Sequence, residues 1–355
     1  MIQELYDAQL RLNAVFNDGV AVSFGNDAAA IAAAQEGVAL CDRSHWGRIL
    51  VGDDDRLRFL HNQSTNDFQK LKPGQGCNTV FVTSTARTID LATSYVLEDA
   101  VLLLVSPHRR EKVLKWLDQY IFFADKVKLT DITNDTAAFS LIGPKSDALL
   151  EQLGGSEIIG KPFANHFNFT LEDVEVRVAV GSGLAIPGYT LIVAANYAAK
   201  LWSKLVELGT VPLGDRIWER LRIEQGYPVP DRELTEDYNP LEAGLIKSIS
   251  FEKGCYIGQE TIARLNTYKG VKQRLWGIRL EAPVEVGSAI TIEGEKVGTL
   301  TSYTETEEGY FGLGYVRTKA GGIGLKVTVG ETEGEIVDVP FLTHEYYAGT
   351  AIPSS

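Results

Sequence analysis

A chain of 355 residues with 45% hydrophobic and 23% charged side chains, including 5 Trp, 14 Tyr and 14 Phe, holds enough apolar material for two or three ordinary domain cores and is not a disordered polymer. Its 34 basic against 47 acidic residues leave a net charge of −13. That excludes bulk attraction to nucleic acid or to an anionic membrane, because such binding needs Lys and Arg to neutralise phosphates. Cys41, Cys77 and Cys255 stand far apart with no C-x-x-C pair, so neither a disulfide framework nor a local metal motif is expected.

Those free thiols imply a reducing compartment, and the start of the chain, MIQELYDAQL, has acids where a secretory signal needs a basic and then an apolar region. A cytoplasmic location is expected, with an organelle stroma or matrix open for a processed form. Alanine-rich 27–36 reads as a helix, with Asn26 placed to cap its start and Gly37 its end. A strand follows at 47–51, then a helix at 53–62 with Leu57 and Leu60 on one face. Lys72-Pro73-Gly74-Gln75-Gly76 turns the chain into a strand at 77–82. The apolar run 100–105 is a buried strand, Ser106 is placed to cap a helix running through Tyr120, and 127–130 opens a strand that leads into another at 137–142. Gly143-Pro144 begins a further helix that ends at Gly154-Gly155.

The longest uncharged run, 178–195, reaches the length of a membrane span, but Gly181, Gly183, Pro187 and Gly188 break it, so strands at 174–180 and 189–193 explain it better. Helices are expected at 197–208 and at 215–225, the second ended by Gly226 with Pro228 beyond. Residues 227–259 carry little periodicity and many Pro and Gly, and long irregular stretches in compact proteins are disproportionately functional. After Lys272 short strands alternate with Gly-containing turns, the pattern of a small barrel or sandwich.

Within the irregular stretch, Cys255 lies between Gly254 and Gly258 and two residues after Lys253. A nearby cation and exposed N–H groups favour thiolate, and glycines allow backbone approaches that a side chain blocks. The same spacing equally describes a small buried hydrophobe among turn residues. Asp42 and His45 invite a catalytic reading, although a structural histidine is the better one, and Trp46, Trp218 and Tyr256 are better read as core than as a stacking platform.

The string Lys253-Gly254-Cys255-Tyr256-Ile257-Gly258-Gln259-Glu260 resembles the K-G-C-Y-x-G-Q-E signature of the YgfZ family of folate-binding proteins, which includes a mitochondrial iron–sulfur assembly factor. That family is related to the aminomethyltransferase (T-protein) of glycine cleavage. Asp42-Arg43-Ser44-His45-Trp46-Gly47 looks like the T-protein's D-x-S-H-x-G, Thr65-Asn66-Asp67 like its T-N-D, and Asn239-Pro240-Leu241-Glu242-Ala243-Gly244-Leu245 like its N-P-x-E-A-G-L. The resemblance spans about residues 5–345.

It implies an α+β fold, a T-protein-like three-domain ring around a central channel with a small C-terminal β-barrel. The expected domains are 1–140 with residues returning from 227–274, then 141–274 carrying the cysteine motif, then the barrel at 275–355. Two departures bear on activity. Leu91 occupies the position of the T-protein's catalytic acid, with Asp90 one residue earlier, and Gly188-Tyr189-Thr190-Leu191-Ile192-Val193 lacks the glutamate that contacts the pterin. A leucine neither exchanges a proton nor stabilises developing positive charge, which argues against aminomethyl transfer.

The resemblance therefore implies a tetrahydrofolate-binding protein that supports assembly or repair of iron–sulfur enzymes, with Cys255 as key thiol, Lys253 beside it and Asp90 as the remaining candidate acid. Lys253, Tyr256, Gln259, Glu260, Asn66, Arg264 and Glu242 are the expected folate contacts, and no metal ligands are expected. The anionic folate tail needs local cations, for which Lys247, Lys253, Arg264 and Lys272 cluster in sequence. Expected partners are folate, or a one-carbon derivative of it, and iron–sulfur enzymes or assembly proteins, with no nucleic acid and no membrane; the acidic surface suits a monomer. Whether a reaction is catalysed stays open. A folate-dependent aminomethyltransferase and a non-catalytic adaptor of the same fold are the alternatives.

Overall fold

The computed structural model describes residues 2–171 and 173–348. Met1, Glu172 and residues 349–355, the last of these within the range expected for the barrel domain, lie outside the described residues. The chain divides into two compact units, each assembled from several segments: Met1–Arg56, Leu71–Cys77 and Thr93–Leu221 form the first, and Leu57–Lys70, Asn78–Ala92 and Arg222–Ser355 the second.

The first unit contains a six-stranded sheet in the order His166–Leu171, Val174–Val180, Gly188–Ala194, Thr136–Ile142, Ala39–Asp42, Val211–Leu213. Neighbours are antiparallel except for the last pair, which is parallel. The run 178–195 is thus the end of one strand, a turn and the next strand, as its glycines require. Helices Gln3–Leu10 and Ala198–Glu207 pack on this sheet, with Leu5, Leu201, Trp202 and Leu205 joining Phe139, Leu141 and Leu191 in one apolar core. A second set of strands pairs Gly47–Gly52 antiparallel with both Ala100–Val105 and Lys128–Asp131. Ala100–Val105 is buried at every position, as its unbroken apolar run predicts.

Two expected caps are corrected. Asn26 precedes helix Asp27–Glu36 but makes no side-chain cap: its Nδ2 donates to the Pro212 carbonyl at 3.0 Å, and its buried Oδ1, the atom a cap would use, accepts no hydrogen bond. The helix expected from Ser106 begins only at Arg110, after a turn in which the Arg109 N–H is donated to the Ser106 carbonyl.

In the second unit, strands Gln273–Leu280, Gly309–Arg317, Glu295–Thr306, Ala289–Ile292, Lys326–Val329 and Thr332–Val337 form a closed barrel. Closure is direct, since Gln273–Leu280 pairs antiparallel with both Gly309–Arg317 and Thr332–Val337. Its interior is filled by Ile278, Ile290, Leu300, Val316, Val329 and Ile336. The barrel is what the regular glycine turns after Lys272 predict. Helix Asp215–Gln225 has the expected limits, and its Arg222 meets Glu233 at 3.0 Å with both side chains fully buried; Glu233 also accepts from Ser302 Oγ at 2.6 Å and from the Val229 N–H at 3.1 Å. That network anchors the irregular stretch 227–259. A third apolar cluster, Ala86, Leu241, Ile249, Tyr256, Ile262 and Val271, holds the cysteine motif in place.

Candidate functional site

Between the turn at 251–257 and helix Gln259–Thr267, Gly258 adopts φ +82°, a left-handed conformation that favours glycine. A Cβ there would meet the Thr83 carbonyl oxygen at 2.9 Å and Ala86 Cα at 3.1 Å, so no larger residue fits without moving the turn that leads into strand Thr88–Val96. Two residues earlier Tyr256 turns inward and is buried, and three residues earlier Cys255 is exposed as a free thiol. The motif is an inward tyrosine and an outward cysteine fixed by one glycine.

Lys253 is buried rather than solvent-facing. Its Nζ donates to the carbonyls of His61 at 2.5 Å, Ser64 at 2.6 Å and Asn66 at 2.7 Å, and lies 4.5 Å from the centre of the Tyr256 ring. Three donors meeting three acceptors satisfy an ammonium. The lysine therefore ties the cysteine loop to the segment that follows helix Arg56–Gln63, and the Ile257 N–H donated to the Asn62 carbonyl at 3.1 Å extends the tie.

That segment carries His61, which the sequence reading passes over, and the carboxylate of Asp67, quoted there only as part of the T-N-D motif. His61 Nδ1 lies 3.0 Å from Asp67 Oδ1, with side chains only 7% and 11% exposed. Burial first, then Lys253, holds the His61 pKa below its usual 6.5, against the opposing pull of Asp67. Burial raises Asp67, but Lys70, 3.3 Å away, and His61 outweigh it and leave its pKa below 3.8.

The other sequence-derived candidates fall into three groups. Asn66 is half-buried and engaged, with Nδ2 donating to the Asn78 carbonyl at 2.7 Å and Oδ1 accepting the Asp67 N–H at 2.8 Å. Glu242 is buried, its Oε2 accepting the Asn239 N–H at 3.1 Å while Asn239 Oδ1 accepts the Leu241 and Glu242 N–H groups, a reciprocal cap of the capping-box kind. Burial pushes the Glu242 pKa above 4.5. Asp90 and Leu91 are both buried on strand Thr88–Val96, whose first residue is pinned by Thr88 Oγ1 donating to the Thr235 carbonyl at 2.8 Å. Glu260, Arg264, Lys247 and Lys272 are exposed, and Gln259 Nε2 reaches the Lys253 carbonyl at 3.5 Å.

In the first unit, Asp42 accepts from the Ser44 N–H and from Gln9 Nε2, each at 2.8 Å. Burial, with Arg43, Arg48 and His108, lowers the His45 pKa to about 3. Trp46 and Trp218 meet edge to face at 5.4 Å with the Arg43 guanidinium 3.8 Å above Trp46. Trp46 and Trp218 are buried, and Asp42 and His45 stand beside them with these partners. Cys41 is buried and Cys77 half-buried with its Sγ 3.4 Å from Ser94 Oγ, so of the three free thiols only Cys255 is exposed.

A fold of this kind, ending in a closed barrel and preceded by a tied loop that presents one thiol, matches known proteins across nearly its whole length. The crystal structure of glycine cleavage system aminomethyltransferase T from Bartonella henselae superposes with a TM-score of 0.85 at 20% identity, covering 97% of this chain and 98% of that one. Residues 8–253 match the model of the GCVT N-terminal domain. The chain belongs to that family, and its fold is the aminomethyltransferase fold. It is 49% identical over 335 residues to an Arabidopsis thaliana protein named, provisionally, as a chloroplastic transferase, which covers 94% of this chain and 78% of the relative. It is also 30% identical over 317 residues to an aminomethyltransferase of Geobacillus kaustophilus, covering 85% of this chain and 86% of the relative.

Proposed function

We propose that this protein is a YgfZ-type member of the family: it binds tetrahydrofolate or a one-carbon derivative and supports assembly or repair of iron–sulfur enzymes through the thiol of Cys255, in a reducing cytoplasm or organelle stroma. The observation that carries the reading is the contrast between an exposed Cys255 on a rigidly held loop and a buried Leu91 where an aminomethyltransferase needs its acid. A leucine sealed in a strand supplies no proton and no charge. The structure gives the thiol a defined, accessible platform.

The residues present suit a folate in their chemistry. A pterin edge takes a carboxylate acceptor, and Asp90 and Glu242 are buried carboxylates in the second unit; a glutamyl tail takes cations, and Arg264, Lys247 and Lys272 are exposed in the same unit. Lys253, occupied by three carbonyls, holds the loop and leaves the tail to these exposed cations. When bound, the folate would supply a one-carbon carrier. With three cysteines in all, the chain lacks the four thiolates that such a cluster takes, and iron–sulfur proteins are partners in this reading.

The test is complementation. In cells lacking the protein, Cys255→Ala should accumulate as a folded chain yet fail to restore iron–sulfur enzyme activity, and full rescue by that variant would sink the reading. One observation favours aminomethyl transfer as a second reading, the buried carboxylate of Asp90 beside the vacant acid position. Incubation with tetrahydrofolate and an aminomethyl-loaded lipoyl carrier should give no methylenetetrahydrofolate; its formation, abolished by Asp90→Asn, would establish the transferase. An adaptor that has lost the ligand would leave tryptophan fluorescence unchanged on folate titration, whereas a binder saturates.

A further inference from the structure

We propose that His61, oriented by Asp67, is the proton acceptor for the Cys255 thiol, so that the segment 61–67 and the loop 253–258 together form a reactive thiol site for soft electrophiles. The inference deepens the role given to Cys255 above and rests on that reading.

Three features of the second unit converge on it. The His61 side chain is 93% buried, yet its ring has a direction: Nδ1 faces Asp67 Oδ1 at 3.0 Å, and Nε2 points at the cysteine loop, where a Cβ placed on Gly254 would lie 3.9 Å away. Among the described residues Nε2 has no hydrogen-bond partner. The Asp67 carboxylate 3.0 Å from Nδ1 favours the tautomer with hydrogen on that nitrogen, which leaves the Nε2 lone pair outward, the arrangement in which an imidazole accepts a proton. Gly254 has no side chain to fill the space before the ring. The thiol belongs to the next residue, about 3.8 Å further along the backbone, and proton transfer requires that the exposed Cys255 side chain turn about χ1 to bring Sγ toward Nε2.

Lys253 completes the geometry without taking part in the proton transfer. Its ammonium grips the carbonyl of His61 itself as well as those of Ser64 and Asn66, so the residue two before the thiol sets the position of the base. The charged groups that face His61 are Asp67 and Lys70 from the segment after helix Arg56–Gln63 and Lys253 from the motif loop; Lys70 also lies 3.8 Å from Glu252. The ring is neutral at pH 7, as a base must be.

In the step, the Sγ–H bond breaks and its proton passes to Nε2, giving a thiolate beside an imidazolium that Asp67 stabilises through Nδ1–H. With iodoacetamide as probe, the S–C bond forms as the C–I bond breaks, iodide leaves with the electron pair, and His61 returns its proton to water.

The experiment is alkylation of the full chain by iodoacetamide, each cysteine followed by peptide mass spectrometry, with half-buried Cys77 as internal reference for an intact fold. At pH 7, His61→Gln should slow Cys255 about tenfold and Asp67→Asn about threefold, with Cys77 unchanged. In the native protein the Cys255 rate should fall as pH drops through the His61 titration, below 6.5, while in His61→Gln it should follow hydroxide concentration between about pH 5 and 8. A His61→Gln rate within about twofold of native, with the native pH profile, overturns the inference. If Cys77 accelerates in that variant, the fold has loosened and Asp67→Asn decides by the same criterion. Loss of rescue by Cys255→Ala together with native alkylation of His61→Gln removes His61 and keeps the thiol. Rescue by Cys255→Ala together with slowed alkylation of His61→Gln keeps the pair and removes the biological reading.

Discussion

Each unit holds a histidine beside a carboxylate, and the two pairs differ in how closely the carboxylate approaches and in what surrounds the ring. In the first unit His45 Nε2 lies 3.7 Å from Asp215, and burial, reinforced by Arg43, Arg48 and His108, lowers the ring's pKa to about 3. In the second, Asp67 takes Nδ1 of His61, and Nε2 is turned to the glycine before an exposed cysteine. The pairs are alike in composition. A histidine driven that far down stays uncharged at neutral pH, whereas one held by its carboxylate on one side and open on the other is equipped for chemistry.

The sharpest way to break this comparison is at Lys253. Lys253→Met should destabilise the protein by about 3 kcal/mol or more, because three buried carbonyls lose their donor, and urea denaturation would measure it. A variant of native stability would mean that the lysine is not what holds the His61 segment. Gly258→Ala comes next, at about 1–3 kcal/mol, since φ is +82° and the Thr83 carbonyl blocks the added methyl. Unchanged stability there would show that the turn has room to shift.

Acid titration tests the first unit. With a folded pKa of about 3 against 6.5 unfolded, His45 binds more proton when unfolded, so its contribution is fully present above pH 6.5 and is lost as pH falls toward 3. The slope approaches about 1.4 kcal/mol per pH unit for this group alone. His45→Gln should flatten that limb of the stability curve by this amount and leave Cys255 alkylation untouched; altered alkylation would erase the distinction between the two histidines. Smallest of all, Cys255→Ala should change stability by less than about 0.5 kcal/mol, because the thiol is exposed. A larger loss would restore the view of Cys255 as a packing residue.

Much of the fold was legible. The barrel followed from glycine turns at short spacing, Ala100–Val105 from its apolar run, and Asp215–Gln225 from a helix pattern stopped by Gly226. Short elements escaped: Gln3–Leu10 is half acidic and polar, Val211–Leu213 contains a proline, and both are fixed by packing or pairing rather than by local preference. Ser106 looked like a cap because the residue type fits, yet the helix begins four residues later. In the site, the resemblance located Cys255 and Gly258 but placed Lys253 beside the thiol as a working cation. Nothing local indicates that its partners are carbonyls nearly 190 residues away in the chain.

The acidic balance, three cysteines far apart in the chain, the relation to the aminomethyltransferases and the motif around Cys255 are all properties of residue order, readable before any fold is known. Folding is what makes Lys253 a buried strut, buries Cys41 and half-buries Cys77 while leaving Cys255 exposed, and sets His61, with Asp67 beside it, against Gly254 of the cysteine loop. The reason is physical: burial, hydrogen-bond partners and the direction of an imidazole depend on segments that meet only when the chain folds, and those segments are far apart in the string of residues.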